Sequence, residues 1–275
     1  MIRAVDEVMN SIFSAVLNPL SGFDAWWGML VISLASSLLL LLVFKFVSNR
    51  RAIRKTRNRA IARVLELLLF KDDVVVNLGA LGRVLWANLL YMGSLLKPML
   101  VSMIPFVLIL IQVSVWFGSR PLRTGETALL KVKLTGNNGV IQQDISLSTS
   151  AGVEVETRAV RIPSRNEVAW RLVARNDGQQ WAGITVGGRE ERKGVAVGER
   201  LAAVSNVRVR TGSWRALMYP VEPPLAPDGP IEWIAISHPG AEFTLGGMRL
   251  HWLVVYFVLT LVIAWLLKGP LKVEI

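Results

Sequence analysis

The sequence has no cysteine and only two histidines among its 275 residues. The absence of cysteine excludes a disulfide framework, a thiolate metal site and a thiol nucleophile. The two histidines offer little for acid–base chemistry. His251 opens a long apolar run, and His238 stands before a Pro-Gly pair at the end of a strand-like segment. No nucleophile elbow, phosphate-binding loop, zinc helix motif or calcium loop is present either. The sequence is therefore expected to be non-catalytic, with no cofactor and no metal. Acids are also scarce, 20 against 31 lysines and arginines, which leaves a formal charge of +11.

Apolar residues are plentiful, and they come in blocks. Hydrophobic residues make up 52% of the chain, and the mean hydropathy is +0.45. Three blocks approach the ~20 residues that cross a bilayer core. The first, 26–47, has Trp26 and Trp27 at one end. Past its other end lies a basic run without acids: Arg50, Arg51, Arg54, Lys55, Arg57, Arg59 and Arg63. By the positive-inside rule that run is cytoplasmic and touches lipid headgroups, not DNA. Span 26–47 then passes from outside to inside, with the N-terminus outside.

Before it, residues 1–22 carry Val5, Met9, Ile12, Phe13, Val16, Leu17 and Leu20 at helical spacing. The segment is too short and polar to span and lacks the features of a signal peptide. An amphipathic helix in the outer interface is expected. Residues 48–96 predict a cytoplasmic helical hairpin. One stripe holds Ile53, Ala60, Ile61, Val64, Leu65 and Leu68, opposite the arginines. Lys71-Asp72-Asp73 makes the turn, and a leucine seam runs along 78, 81, 85, 89, Met92 and 96. Lys97-Pro98 interrupts the long apolar stretch from 84 to 117, so the second span is expected over 98–117, bent at Pro98 and Pro105. The alternative, that 84–96 also crosses, gives only ~20 Å of helix against a ~30 Å core. The third span is expected over 250–267, and 268–275 forms a cytoplasmic tail.

Between the second and third spans, 118–247 reads as an extracytoplasmic all-β, sandwich-like domain of seven to nine strands. Candidate strands are 127–135, 141–148, 153–162, 168–174, 181–186, 194–197, 204–210, 214–219 and 231–237. Arg189-Glu190-Glu191-Arg192-Lys193 reads as a solvated hairpin tip. The expected fold is thus an α-helical multi-pass protein of the cytoplasmic (inner) membrane, with three spans, a cytoplasmic hairpin and an inserted β domain.

Polar residues inside the spans are the candidate site. Ser33, Ser36, Ser37, Ser102, Gln112 and Ser114 either pack helix against helix or form the polar wall of a groove. The order of parts, together with Lys97-Pro98-Met99-Leu100-Val101-Ser102-Met103-Ile104-Pro105-Phe106, resembles the core of the YidC-like insertase superfamily and its small three-span relatives. The resemblance covers about 1–118 and 248–268. It implies a lipid-open groove that helps nascent membrane proteins enter the bilayer, with the hairpin meeting client or ribosome and the arginines near headgroups or rRNA. The inserted β domain lies outside the resemblance. It motivates the other reading, a non-catalytic scaffold subunit of a cell-envelope complex that docks a partner through this domain.

Overall fold

The structure, a computed structural model, describes residues 2–48, 50–69, 74–136, 140–141, 143–212 and 214–271; at 2–5, 50–52, 66–69, 74–80 and 214 it describes the backbone alone. The expected turn at 71–73, Lys272 in the tail and most of the turn at 136–139 lie outside these residues. Among them are five α-helices and eleven strands, the strands all falling between the fourth and fifth helices. Helix α1 covers Ile2–Leu17, α2 Ala25–Val47, α3 Arg50–Leu69, α4 Val74–Phe117 and α5 Trp252–Lys268. Two compact units result: Met1–Leu30 with Leu110–Tyr256, and Val31–Ile109 with Phe257–Ile275.

The first unit is built on antiparallel sheets. Strands β1 (Thr127–Leu134), β3 (Val153–Val155), β5 (Glu167–Ala174), β8 (Val207–Val209) and β9 (Ile231–Ile236) run in the order β3-β5-β1-β9-β8, and β4 (Val160–Ile162) also pairs with β5. A second sheet has the order β2-β6-β7, from Ile145–Thr149, Gly178–Val186 and Arg189–Val197. Both sheets feed one buried cluster. Leu130, Val132 and Leu134 alternate inward along β1, and Ile184, Val186, Val195 and Val197 come from the other sheet. The β6–β7 turn is Gly187-Gly188, with φ of +55° and +79°. A two-residue turn of that hand matches strand twist and needs residues free to adopt positive φ.

Four expectations for this region change. Residues 189–193 are strand, not hairpin tip, because the chain already turns at Gly187-Gly188. Residues 214–218 form a 3-10 helix, and 153–162 splits into β3 and β4. A last hairpin, β10 (Glu242–Leu245) and β11 (Met248–His251), turns at Gly246-Gly247. It delays α5 to Trp252.

α1 packs Phe13 and Leu17 inward, while Val8 and Ile12 stay exposed. Asn18-Pro19 ends it in a 3-10 turn. Asp24 then caps α2, its carboxylate accepting from Trp26 N–H at 2.9 Å. Gly28 lets α2 approach closely: a Cβ there would meet Leu17, Phe117 and Leu201 at 3.1–3.2 Å.

Helix α4, whose residues up to Ile109 belong to the second unit, departs most from expectation. It is one helix of 44 residues with Pro98 and Pro105 inside it, so there is no break at Lys97-Pro98. Each proline removes one backbone hydrogen bond. Continuing the helix keeps the bonds on either side, and stopping it would orphan several groups among apolar residues. The hairpin seam is also reversed. Leu81, Leu85, Leu89, Met92 and Leu96 are exposed, and the buried positions are Val84, Ala87 and Pro98. On α3 only Ile53 and Ala60 of the expected stripe are buried, while Ile61, Val64 and Leu65 are exposed. Thr56 and Ser94 join α3 to α4 through their hydroxyls at 3.1 Å.

Among the described residues, two helical stretches are long and apolar enough to cross a membrane, Ala25–Val47 with 23 residues and Leu81–Phe117 with 37. The segment expected as a third span is a helix of 17 residues, Trp252–Lys268, shorter than those two, so three spans are not supported.

Candidate functional site

Three helices of the second unit leave a groove between them. α2 contributes Ser37, Leu41 and Phe44, α4 contributes Met99, Ser102 and Phe106, and α5 contributes Thr260. Its volume is about 580 Å³. Phe106 meets Phe257 edge to face at 5.7 Å between ring centres. The wall is hydrocarbon apart from three hydroxyls. Ser37 is the satisfied one, sharing its proton between the Ser33 carbonyl at 2.7 Å and the Thr260 carbonyl at 3.0 Å. The Ser102 and Thr260 hydroxyl oxygens are buried and have no hydrogen-bond partner among the described residues.

Of the six polar residues singled out from the sequence, the structure brings Ser37 and Ser102 to this groove. Ser33 and Ser36 are buried in α2 and do not line it. Gln112 belongs to the first unit, where its amide donates to Asn10 Oδ1 on α1 at 2.7 Å. Asn10 in turn donates to the Pro220 carbonyl at 2.7 Å. This two-bond relay ties the end of α4, α1 and the proline-rich loop together. Ser114 is exposed. Thr260 was missed in the sequence, though it is the lone serine or threonine in the apolar run of α5 and could have been found as such.

The basic residues divide as well. Arg59 and Arg63 line a cavity of about 710 Å³ between α3 and α4, together with Thr56, Trp86, Leu90 and Arg83. Arg83 lies beyond the basic run that drew attention in the sequence. Arg54 and Lys55 are exposed, and Arg57 is half-buried. Arg50 and Arg51 lie in the first turn of α3, where only the backbone is described. A cavity flanked by three guanidiniums suits phosphate oxygens, which the planar fork binds two at a time.

A further polar cluster in the first unit was not foreseen. Lys193 is fully buried on β7 and pairs with Glu222 at 2.9 Å. Its ammonium also donates to the Ser205 carbonyl at 2.6 Å and to Ser205 Oγ at 2.9 Å. Burial pushes the Lys193 ammonium down from its ordinary value, and the Glu222 charge pulls it back. Ser205 and Lys193 have the spacing of a nucleophile and its base. But Ser205 Oγ donates to Glu222 at 3.1 Å and accepts from the Lys193 side chain, so its proton points at the carboxylate and not at the amine. Glu222 also accepts from Gly194 N–H at 2.6 Å, and Arg208 donates to the Arg192 carbonyl. These side chains cover the open edge of β7, where an unpaired strand would otherwise template association.

His238 completes the cluster. Its Nδ1 bonds Asn206 Oδ1 at 2.9 Å, and Asn206 donates to Ser119 Oγ at 2.7 Å. Burial, then the charge of Lys193, lower its pKa to about 4. Arg120 and Glu126 form a two-pronged pair at 2.8 Å, which lowers the Glu126 carboxyl to about 2.

Among the described residues no group of three or more histidine, aspartate or glutamate side chains is placed to hold a metal. Comparison with family models, with curated proteins and with solved structures finds no match to this chain.

Proposed function

We propose that this chain is an insertase-like protein of the cytoplasmic membrane that receives a hydrophobic segment of a client membrane protein in the groove between α2, α4 and α5. The observation that carries the reading is the groove itself. All three apolar helices contribute to it, its wall is hydrocarbon, and two hydroxyls unpaired among the described residues line it. An entering helix finds apolar contact there, and the hydroxyls lower the cost of one polar group passing with it.

The membrane reading has support of its own. Only 28% and 33% of the most apolar windows of the two long helices are buried, which leaves large hydrocarbon faces for lipid. On this reading α5 is a third, short span, within the ~17–25 residue range that bilayers accept. The N-terminus and the sandwich-like β domain then lie outside, and the arginine cavity of the hairpin faces cytoplasmic headgroups, rRNA or the emerging client. This corresponds to the YidC-like resemblance of the spans and hairpin.

The test is photocrosslinking. A photoreactive residue at Ser102 or Thr260 should capture radiolabelled nascent membrane proteins, and one at Gln112, engaged with Asn10, should capture several-fold less. Absence of captured clients, with membrane-protein insertion unchanged on depletion, defeats the proposal.

The scaffold reading keeps one observation in its favour. The Gln112–Asn10–Pro220 relay fastens the β region's proline-rich loop to two helices, more than an optional appendage requires. If deletion of 124–244 abolishes function, and one stoichiometric partner complex co-purifies without ribosomes or assorted clients, the scaffold reading replaces the first.

A further inference from the structure

The first unit holds a pocket of about 370 Å³ where α2 begins and α4 ends, at the low end of the ~300–1,000 Å³ usual for small ligands. Trp26, Phe117 and Phe243 form an aromatic floor, with Trp26 edge-on to Phe243 at 5.1 Å between ring centres. Phe23 and Trp27 are 64% and 59% exposed beside it. Amphipathic aromatics in such a place form the interface belt of a membrane protein.

The rim carries both signs of charge, and the partners sort it. Arg120 is held by Glu126. Arg123 forms one ion pair among the described residues, with Glu199 at 4.0 Å and both side chains largely exposed, and its charge also acts on Glu126. Arg200 makes no ion pair among the described residues. Glu242 is paired with Arg249 at 3.5 Å, again in solvent. Exposed pairs of this kind contribute little and are readily exchanged for a better partner. Two available guanidiniums beside two exposed carboxylates, Glu199 and Glu242, above an aromatic floor, match a phosphate that carries an amine.

We infer that this pocket holds the headgroup of one phosphoethanolamine-type lipid, its phosphate on Arg123 and Arg200 and its ammonium on Glu242, with the acyl chains leaving past Phe23 and Trp27. The inference rests on the membrane reading above and goes beyond it. A choline headgroup has no N–H for Glu242, and a glycerol headgroup has no cation, so both bind more weakly. The shared chemistry is a phosphate monoester or diester with a primary amine. A bilayer lipid and a soluble phosphoester are separated in the test.

The full chain is purified into nanodiscs containing equal phosphatidylethanolamine, phosphatidylcholine and phosphatidylglycerol, and the lipid retained after detergent stripping is quantified by mass spectrometry. About one phosphatidylethanolamine per chain is expected. Arg123→Gln with Arg200→Gln should lower its retention about tenfold. Glu242→Gln should remove the preference for ethanolamine over choline while leaving total phospholipid nearly unchanged. Arg189→Gln, on an exposed strand position away from the pocket, should match the parent. Melting curves identify any variant that fails to fold, and Glu242→Gln alone still decides the amine contact.

Equal retention of the three lipids by the parent, or undiminished retention by the double arginine variant, overturns the inference. Displacement of the lipid by micromolar glycerophosphoethanolamine also overturns it, by assigning the pocket to a soluble phosphoester. Resistance of the parent chain to alkaline carbonate extraction is read separately. Its loss defeats the membrane reading, whereas an extraction-resistant chain with unchanged lipid retention in the variant defeats only the pocket.

Discussion

The groove among the helices and the charged cluster on β7 bury polar groups in opposite ways. Around Lys193 every donor has a place to go: Glu222, Ser205 and a backbone carbonyl complete its shell. In the groove, Ser102 and Thr260 keep buried hydroxyls with no partner among the described residues. An unpaired buried hydroxyl costs about 1–3 kcal/mol, while the paired shell of Lys193 covers a strand edge; beside it only His238 Nε2 is buried without a partner among the described residues of the cluster. The difference separates an ammonium whose partners all lie within the fold from a groove whose two hydroxyls have none among the described residues.

Breaking the paired cluster should have the largest effect. Glu222→Ala leaves the Lys193 ammonium buried without its counter-charge and uncovers Gly194 N–H, so it should cost about 3–5 kcal/mol in thermal or denaturant unfolding. Lys193→Met, which removes the charge and keeps the volume, should cost distinctly less. If Glu222→Ala loses under about 1 kcal/mol, the cluster is not the paired network described.

Acid should weaken the same region. His238 has a folded pKa of about 4, below the ordinary 6.5, so the fold favours the neutral ring. Its stabilisation is complete above about pH 6.5 and disappears as pH falls toward 4, a change on the order of 2–3 kcal/mol. His238→Gln should flatten that part of the stability–pH curve. Lys193→Met should make the change smaller, because one of the two causes that depress the ring's pKa is removed. Glu126, held at about 2, loses its contribution only below its ordinary value of 4.5, so its acid loss falls at the lower end. An unchanged pH curve in His238→Gln would disconnect the histidine from the cluster.

A smaller loss should follow at the relay. Gln112→Leu removes the donor to Asn10 and should cost about 1–2 kcal/mol, read as a lower melting temperature. If melting is unchanged, Asn10 finds another donor and the relay is not a fastening.

Much of the fold is legible in the sequence, and the failures have physical causes. The apolar blocks placed α2 and α5 to within a few residues, since long hydrocarbon runs leave few alternatives. The hairpin faces were inverted because amphipathic reading puts the largest apolar side chains inside, whereas here the smaller Val84 and Ala87 are buried and Leu85, Leu89 and Met92 are exposed. Lys193 was hidden because a charged run usually marks a turn. Only the register set by Gly187-Gly188 puts this residue on the inward side of β7, in line with Val195 and Val197. Gln112 was legible as an amide in need of a partner, but Asn10, some hundred residues earlier in the chain, was not.

The groove gives the finest comparison, because stability and capture should move in opposite directions there. Ser102→Ala and Thr260→Val each delete a hydroxyl that has no partner among the described residues, and keep the backbone and most of the volume. In a closed core such a change loses a hydrogen bond. Here there is none to lose, so stability should stay level or rise by up to about 1 kcal/mol. If the hydroxyls serve a passing polar group, the double variant should insert clients with purely apolar segments normally and slow those that carry one polar residue by a few-fold. Insertion of paired model segments, with and without a central asparagine, reads this directly. Equal rates for both segments in parent and variant would reduce the two hydroxyls to packing, and the groove would then be only a contact surface among helices.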